Sequence, residues 1–168
     1  MTISTPSASS LKDQEGLWRN LTETLATLNL HLDRCLKKEA KIKLSDYKIL
    51  ATLMEANSVS PTAGTLIRMR DLARTTSVSA SRLTYQIEAL ERQGWVSKMP
   101  VLQDRRGKGI VITPLGQQVY RQAAPIYTRE VQRTVFSALD PSIALAVSLF
   151  SRTVRNNITS QSKTQDPQ

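Results

Sequence analysis

One cysteine, Cys35, and one histidine, His31, are all the chain holds of those two residue types. A single thiol excludes an internal disulfide and fits a reducing, cytoplasmic setting. His31 and Cys35 are four apart and share one helix face. Two copies across a dimer axis would offer four metal ligands, but one pair on one helix is thin support for a metal site. Burial at a helix interface is the simpler expectation. The six glycines form no phosphate-cradling loop, and no nucleophile elbow occurs. Glu88 and Glu91 lie on a helix flank and read as solvation. No catalytic residue, no metal and no cofactor is therefore expected, and the chain is not read as an enzyme. Aromatics make up only 5%, so Leu, Ile, Val and Ala must do most of the packing. The longest clean apolar run, Ile143 to Val147, is far below the roughly 20 residues of a membrane span. The start, Met1-Thr2-Ile3-Ser4-Thr5-Pro6-Ser7, has neither a cationic nor an apolar stretch, so no signal peptide is expected.

What is abundant is positive charge. Lys and Arg number 23 against 14 Asp and Glu, a net charge of +9. That balance favours a polyanionic partner such as nucleic acid. Residues 64–113 hold nine of the basic side chains and four acids, so +5 of the total sits in under a third of the chain. Such concentration suits a surface that faces phosphates.

The 168 residues suit one domain. Residues 1–10 are Ser/Thr-rich without periodicity and are expected to be disordered, as are 159–168. Leu17, Leu21, Leu25, Leu28, Leu32 and Leu36 recur every three or four residues, which predicts one helix with one apolar stripe from Leu11 to about Lys38. A second helix is expected after Ser45 as N-cap, with Leu44 and Ile49 as a hydrophobic staple. Asn57 to Gly64 reads as a loop. Thr65-Leu66-Ile67 reads as a short edge strand.

The stretch from Met69 to Gly116 reads as two short helices at an angle followed by a basic hairpin. Leu72 and Ala73 face inward in the first helix. Ser79 is the N-cap expected for the second, which buries Leu83, Ile87 and Leu90 and ends at Gly94. Strands are expected at 95–102 and 108–113, with Gln103 to Gly107 as the turn and Pro100 marking an irregular edge. A helix pair of this kind can enter the DNA major groove, and a basic hairpin can reach the flanking backbone or minor groove. Arg70, Ser79, Ser81, Arg82, Thr84, Tyr85 and Gln86 are the residues expected on the DNA face. At the hairpin tip, Arg106 is expected to insert into the minor groove, oriented by Asp104, with Arg105 and Lys108 on phosphates. Thr113 caps a further helix with Pro114 at its first position, and Pro125 is expected to kink or split that helix. Asp140-Pro141 opens a last helix. The helices at 11–38, 114–138 and 141–157 carry more apolar face than one small core can cover. A dimer in which they interlock is the economical solution.

Three segments in order carry a family resemblance. They are Leu72-Ala73 through Val78-Ser79-Ala80-Ser81-Arg82-Leu83-Thr84, then Leu90-Glu91-Arg92-Gln93-Gly94-Trp95-Val96, then Asp104, Arg106, Ile112, Thr113 and Gly116. The last fits the pattern D-x-R, a hydrophobic strand, and L/I-T-x-x-G. Together they resemble the MarR (multiple antibiotic resistance regulator) family of winged helix-turn-helix transcription factors. The resemblance implies a mainly α fold with a small β-wing. It implies an N-terminal dimerisation helix at 11–43, a DNA-binding lobe at 44–113 and C-terminal dimerisation helices at 114–158. It also implies a homodimer on double-stranded, pseudo-palindromic DNA, usually a repressor released by a small aromatic or anionic effector. Trp18, His31, Arg34 and Tyr47 are the residues that could line a pocket for such an effector. The alternatives are a ligand-independent or architectural DNA binder, or a winged-helix interaction module that does not touch DNA. Ser77, where glycine is common, and Tyr85, where a basic residue is frequent, depart from the family pattern.

Overall fold

The computed structural model describes residues 11–59, 66–76, 78–101 and 104–164. Helix α1 spans Leu11–Ala40 and α2 spans Leu44–Val59. Strand β1 (Ile67–Arg68) leads into α3 (Met69–Thr76) and α4 (Ala80–Arg92). The hairpin β2 (Val96–Val101) and β3 (Asp104–Ile112) follows, then α5 (Pro114–Thr134), one 3-10 turn at Phe136–Ala138, and α6 (Pro141–Thr164). The chain forms two compact units, one ending at Thr128 and the other beginning at Arg129.

In the first unit, α2, α3 and α4 pack around a core of Ile49, Leu50, Leu53, Leu72, Leu83, Ile87 and Leu90, all buried. The sheet is antiparallel with order β1-β3-β2. Ile110 and Ile112 point into the core while Val111 between them is half-buried, the expected alternation of a one-sided strand. β1 adds a third strand through the pairs Ile67↔Ile110 and Arg68↔Gly109.

Two helix starts are built as the residue types dictate. The Thr113 hydroxyl accepts from the Gly116 N–H at 3.0 Å, ahead of Pro114. Asp140 Oδ1 accepts from both the N–H and the hydroxyl of Ser142, which holds its carboxyl below the usual range. Two other starts differ from expectation. α2 begins at Leu44, so Ser45 lies inside the first turn, and its hydroxyl donates to Asp46 Oδ1 instead of capping. The cap comes from another helix, since Asp33 of α1 accepts the Leu44 N–H at 2.9 Å. Ser79 has extended backbone before α4 but makes no side-chain cap, and its hydroxyl lies 3.4 Å from that of Ser81.

Other boundaries move as well. Asn57, Ser58 and Val59 continue α2, where a loop was expected. α5 runs through Pro125 without a break; the exposed proline deletes one backbone bond, and the turns on either side hold. α6 runs on to Thr164, so residues 159–164 are helical rather than tail. The 1–10 segment and Ser77 lie outside the described residues.

Helix α1 is covered over only part of its length. Leu32 and Leu36 are buried, yet Leu17 is 71% exposed, and Trp18, Leu25 and Leu30 are also bare. In the second unit, α6 exposes Ile143, Leu145, Val147, Leu149, Phe150, Val154 and Ile158. Among the described residues no helix is long and apolar enough to cross a membrane.

Candidate nucleic-acid interface

Helix α4 divides cleanly into two faces. Leu83, Ile87 and Leu90 are fully buried, whereas Ser81, Arg82, Thr84 and Tyr85 are exposed, Tyr85 by 69%. Apolar residues four and three apart anchor the helix, and the polar residues between them are thereby turned outward. Thr84 spends its proton on the Ala80 carbonyl at 2.9 Å, so its hydroxyl oxygen faces out as an acceptor. Gln86 sits on the flank between the faces. It is half-buried, and its Oε1 is buried with no hydrogen-bond partner among the described residues, so only part of this residue belongs to the outer surface.

The end of α4 sets where the hairpin starts. Gly94 takes φ +74°, a left-handed value that disfavours any residue with a Cβ. The Gly94 N–H donates to the Glu91 carbonyl at 2.9 Å, and the Trp95 N–H to that of Leu90 at 3.0 Å. That pair of bonds is the Schellman closure of a helix. Thr113, at the other end of the hairpin, ties back to the same turn. Its hydroxyl donates to the Gly94 carbonyl at 2.6 Å and its N–H to the Trp95 carbonyl at 3.1 Å. Gly116 closes the joint, because a Cβ there would overlap the Trp95 carbonyl oxygen and lie 2.9 Å from Ile112 Cγ1. The hairpin base, the end of α4 and the start of α5 are thus one rigid corner.

Further out, the pairing changes register between Pro100↔Lys108 and Val101↔Asp104. Residues 105–107 therefore fall between the partners of two consecutive β2 residues, next to a proline that cannot donate. β3 begins at Asp104, so the expected turn at Gln103 to Gly107 is mostly strand. The side chains of Asp104, Arg105, Arg106 and Lys108 lie outside the described residues.

The charges sort themselves by partner. Arg70 and Arg74 are exposed and flank Asp71, with Arg74 at 3.3 Å from Oδ1 and Arg70 at 3.9 Å. Exposed pairs of this kind are weak and leave both guanidinium groups able to meet phosphate. Arg82 and Arg92 are exposed on α4. Lys98 differs from these four arginines, because its ammonium lies 2.7 Å from Glu91 and its side chain is only 25% exposed.

Of the four residues expected to line a pocket, Trp18 stands apart from the other residue of that set nearest to it on α1. Trp18 and His31 are 13 positions apart on α1, about 20 Å along the axis. Arg34 is exposed and bonds its own Leu30 carbonyl. His31 faces Cys35, with Nε2 3.7 Å from Sγ. Tyr47 is buried between two rings of α5, those of Tyr120 at 5.7 Å and Tyr127 at 4.7 Å. Burial and the neighbouring phenols push the Tyr47 hydroxyl well above its ordinary range. Tyr120 and Tyr127 went unnoticed in the sequence, although seven residues are two helical turns and place both rings on one face.

Comparisons with known proteins agree with this geometry. The sequence model of the MarR family matches residues 42–108. The HTH-type transcriptional regulator PecS of Dickeya dadantii (strain 3937) is 33% identical over 99 residues, which are 55% of this chain and 55% of that protein. The chain thus spans about half the length of the curated relative it matches. Among solved structures, Sco3205, a MarR family transcriptional regulator from Streptomyces coelicolor in complex with DNA, superposes with a TM-score of 0.78. It shares 29% identity, over 89% of this chain and 93% of that one. AbsC, a MarR family transcriptional regulator from the same organism, gives a TM-score of 0.79 at 27% identity, over 92% of this chain and 99% of that one. Helix pair, hairpin corner, family match over residues 42–108 and superposition converge: the chain has the winged-helix fold of the MarR family transcriptional regulators it resembles, and its residues 42–108 match that family.

Proposed function

We propose that the protein is a cytoplasmic, homodimeric, sequence-specific DNA-binding regulator that represses transcription from a pseudo-palindromic site and leaves it when a small aromatic or anionic effector binds. The observation that carries the DNA-binding part is the outer face of α4. Ser81, Arg82, Thr84 and Tyr85 stand exposed in sequence, and Arg70 and Arg74 of α3 add exposed cations. Arginine can read guanine with two hydrogen bonds, and hydroxyls suit base edges and phosphates alike. The wing residues Asp104, Arg105, Arg106 and Lys108 take the flanking contacts in this reading, with Arg106 in the minor groove.

The homodimer is supported by the bare apolar faces of α1 and α6. Large contiguous apolar surface is rarely left in water by a monomer. Residues 11–43 and 114–158 serve dimerisation and 44–113 serves DNA in this division. Repression and release by an effector rest on the family. An effector would act through its differential affinity for the DNA-competent arrangement of the two lobes.

Selection of bound sequences from random DNA, with competitor in excess, tests the reading. The expected product is a two-fold symmetric site with half-sites about one helical turn apart. Binding should also weaken steeply as salt rises. A monomer in solution, or no enriched sequence, would overturn it.

A further inference from the structure

In the sheet order β1-β3-β2, strand β2 is an edge, so its outward N–H groups have no strand partner among the described residues. Lys98 sits in the middle of that edge, opposite Ile110. Its N–H donates to Glu91 Oε1 at 3.3 Å, and its ammonium meets Glu91 Oε2 at 2.7 Å. One carboxylate at the end of α4 therefore holds both the backbone and the side chain of a single strand residue. The corner formed by Gly94, Thr113 and Gly116 fixes only the base of the hairpin. Glu91 grips it two residues beyond Val96, where a small change in angle is magnified at the tip.

We propose that Glu91 is a positioning residue that locks the tilt of the hairpin to the DNA-facing helix, so that groove contact by α4 and flanking contact by the wing occur as one event. This rests on the DNA-binding reading. It assigns Lys98 a structural partner instead of a phosphate. It also predicts an effect opposite to simple electrostatics. Removing a carboxylate from a DNA-binding lobe should tighten binding if charge alone mattered. Losing the grip should weaken it wherever the wing is in use.

The test compares the full-length wild type with Glu91→Ala, Glu91→Gln and Lys98→Met on two duplexes, the selected site with its flanks and the same site trimmed to the two cores. The wild type is expected to bind the flanked duplex about tenfold more tightly than the trimmed one. Glu91→Ala is expected to lose that preference, to match the wild type on the trimmed duplex, and to show a salt slope lower by about 1–2 on the flanked one. Hydroxyl-radical footprints should lose flank protection and keep core protection. Lys98→Met should behave like Glu91→Ala in a milder form, and Glu91→Gln, which keeps an acceptor for the Lys98 N–H, should lie between. Thermal melting identifies any variant that fails to fold, and the remaining variants then decide. If Glu91→Ala and Glu91→Gln bind the flanked duplex as tightly as wild type with an unchanged footprint, the positioning role is refuted while the DNA-binding reading stands. If the wild type enriches no site, the underlying reading fails first.

Discussion

Replacing Gly116 with alanine adds one methyl group at the corner where α4, the hairpin and α5 meet. The added carbon would lie 2.9 Å from both Ile112 Cγ1 and the Trp95 carbonyl carbon, and closer still to the carbonyl oxygen. Backbone must move to admit it. That oxygen accepts the Thr113 N–H at 3.1 Å, and Thr113 in turn caps α5 through the Gly116 N–H at 3.0 Å. Overpacking costs about 1–3 kcal/mol, and a lost cap adds about 1 kcal/mol. Alanine's better helix propensity returns about 1 kcal/mol, leaving a net loss of about 1–3 kcal/mol. The chain supplies its own control in Gly16 of α1, where a Cβ would meet nothing within 4 Å among the described residues. Gly16→Ala should therefore stabilise by up to about 1 kcal/mol. Urea denaturation of both variants and the wild type, at one protein concentration, measures the difference. The two substitutions should move the midpoint in opposite directions. If Gly116→Ala unfolds within about 0.5 kcal/mol of wild type, the corner is not rigid and the close-approach argument is wrong.

Other expectations follow from single contacts. Arg82→Ala should weaken site-specific binding by about 1–3 kcal/mol while leaving the denaturation midpoint in place, as read by a binding titration and a melt. Tyr47→Leu removes both ring contacts and should cost about 2–3 kcal/mol, whereas Tyr47→Phe keeps the stack and should stay within about 1 kcal/mol of wild type in urea titrations. The two aspartates at the α1–α2 junction should respond to acid in opposite senses. Burial would raise the Asp33 carboxyl, but the Lys37 ammonium and the Leu44 N–H outweigh it and hold it below the usual range. Its contribution is present above the unfolded value of 3.8 and is lost as pH falls through the lower folded pKa. Burial holds the Asp46 carboxyl above 3.8, so its charge costs stability at neutral pH and that cost fades as pH falls through the raised pKa. Stability curves from pH 7 to pH 3 should show Asp33→Ala less stable by about 1–2 kcal/mol at neutral pH and Asp46→Asn slightly more stable there, with the Asp46→Asn gain disappearing in acid.

Local chemistry made much of this molecule readable. Leu83, Ile87 and Leu90 announced the buried face of α4 and hence its exposed one, because helical spacing leaves no other arrangement. Gly94, Thr113-Pro114 and Asp140-Pro141 each act within a few residues, and each lies where its chemistry requires. Two of the failures involve partners distant in sequence. Ser45 satisfied every local rule for a cap, yet Asp33, eleven residues before Leu44, took the N–H first. Lys98 counted as surface charge until the fold brought Glu91 to it. The α1 stripe was visible as a stripe, but spacing alone does not tell how far along the helix its cover extends. Leu36 is buried and Leu17 is bare on the same pattern.

The tyrosine stack has a kinetic side. Tyr47 meets rings 73 and 80 positions further along the chain, a wide separation for a contact in a small unit. Closing so long a loop is repaid only after nearer contacts have formed. On a ribosome the segment from α2 to β3 can assemble before Tyr127 has been made, leaving the Tyr47 ring uncovered until α5 arrives. The stack is then a closing step of synthesis. Mutations there should leave the folding rate of the lobe nearly unchanged and chiefly hasten its unfolding.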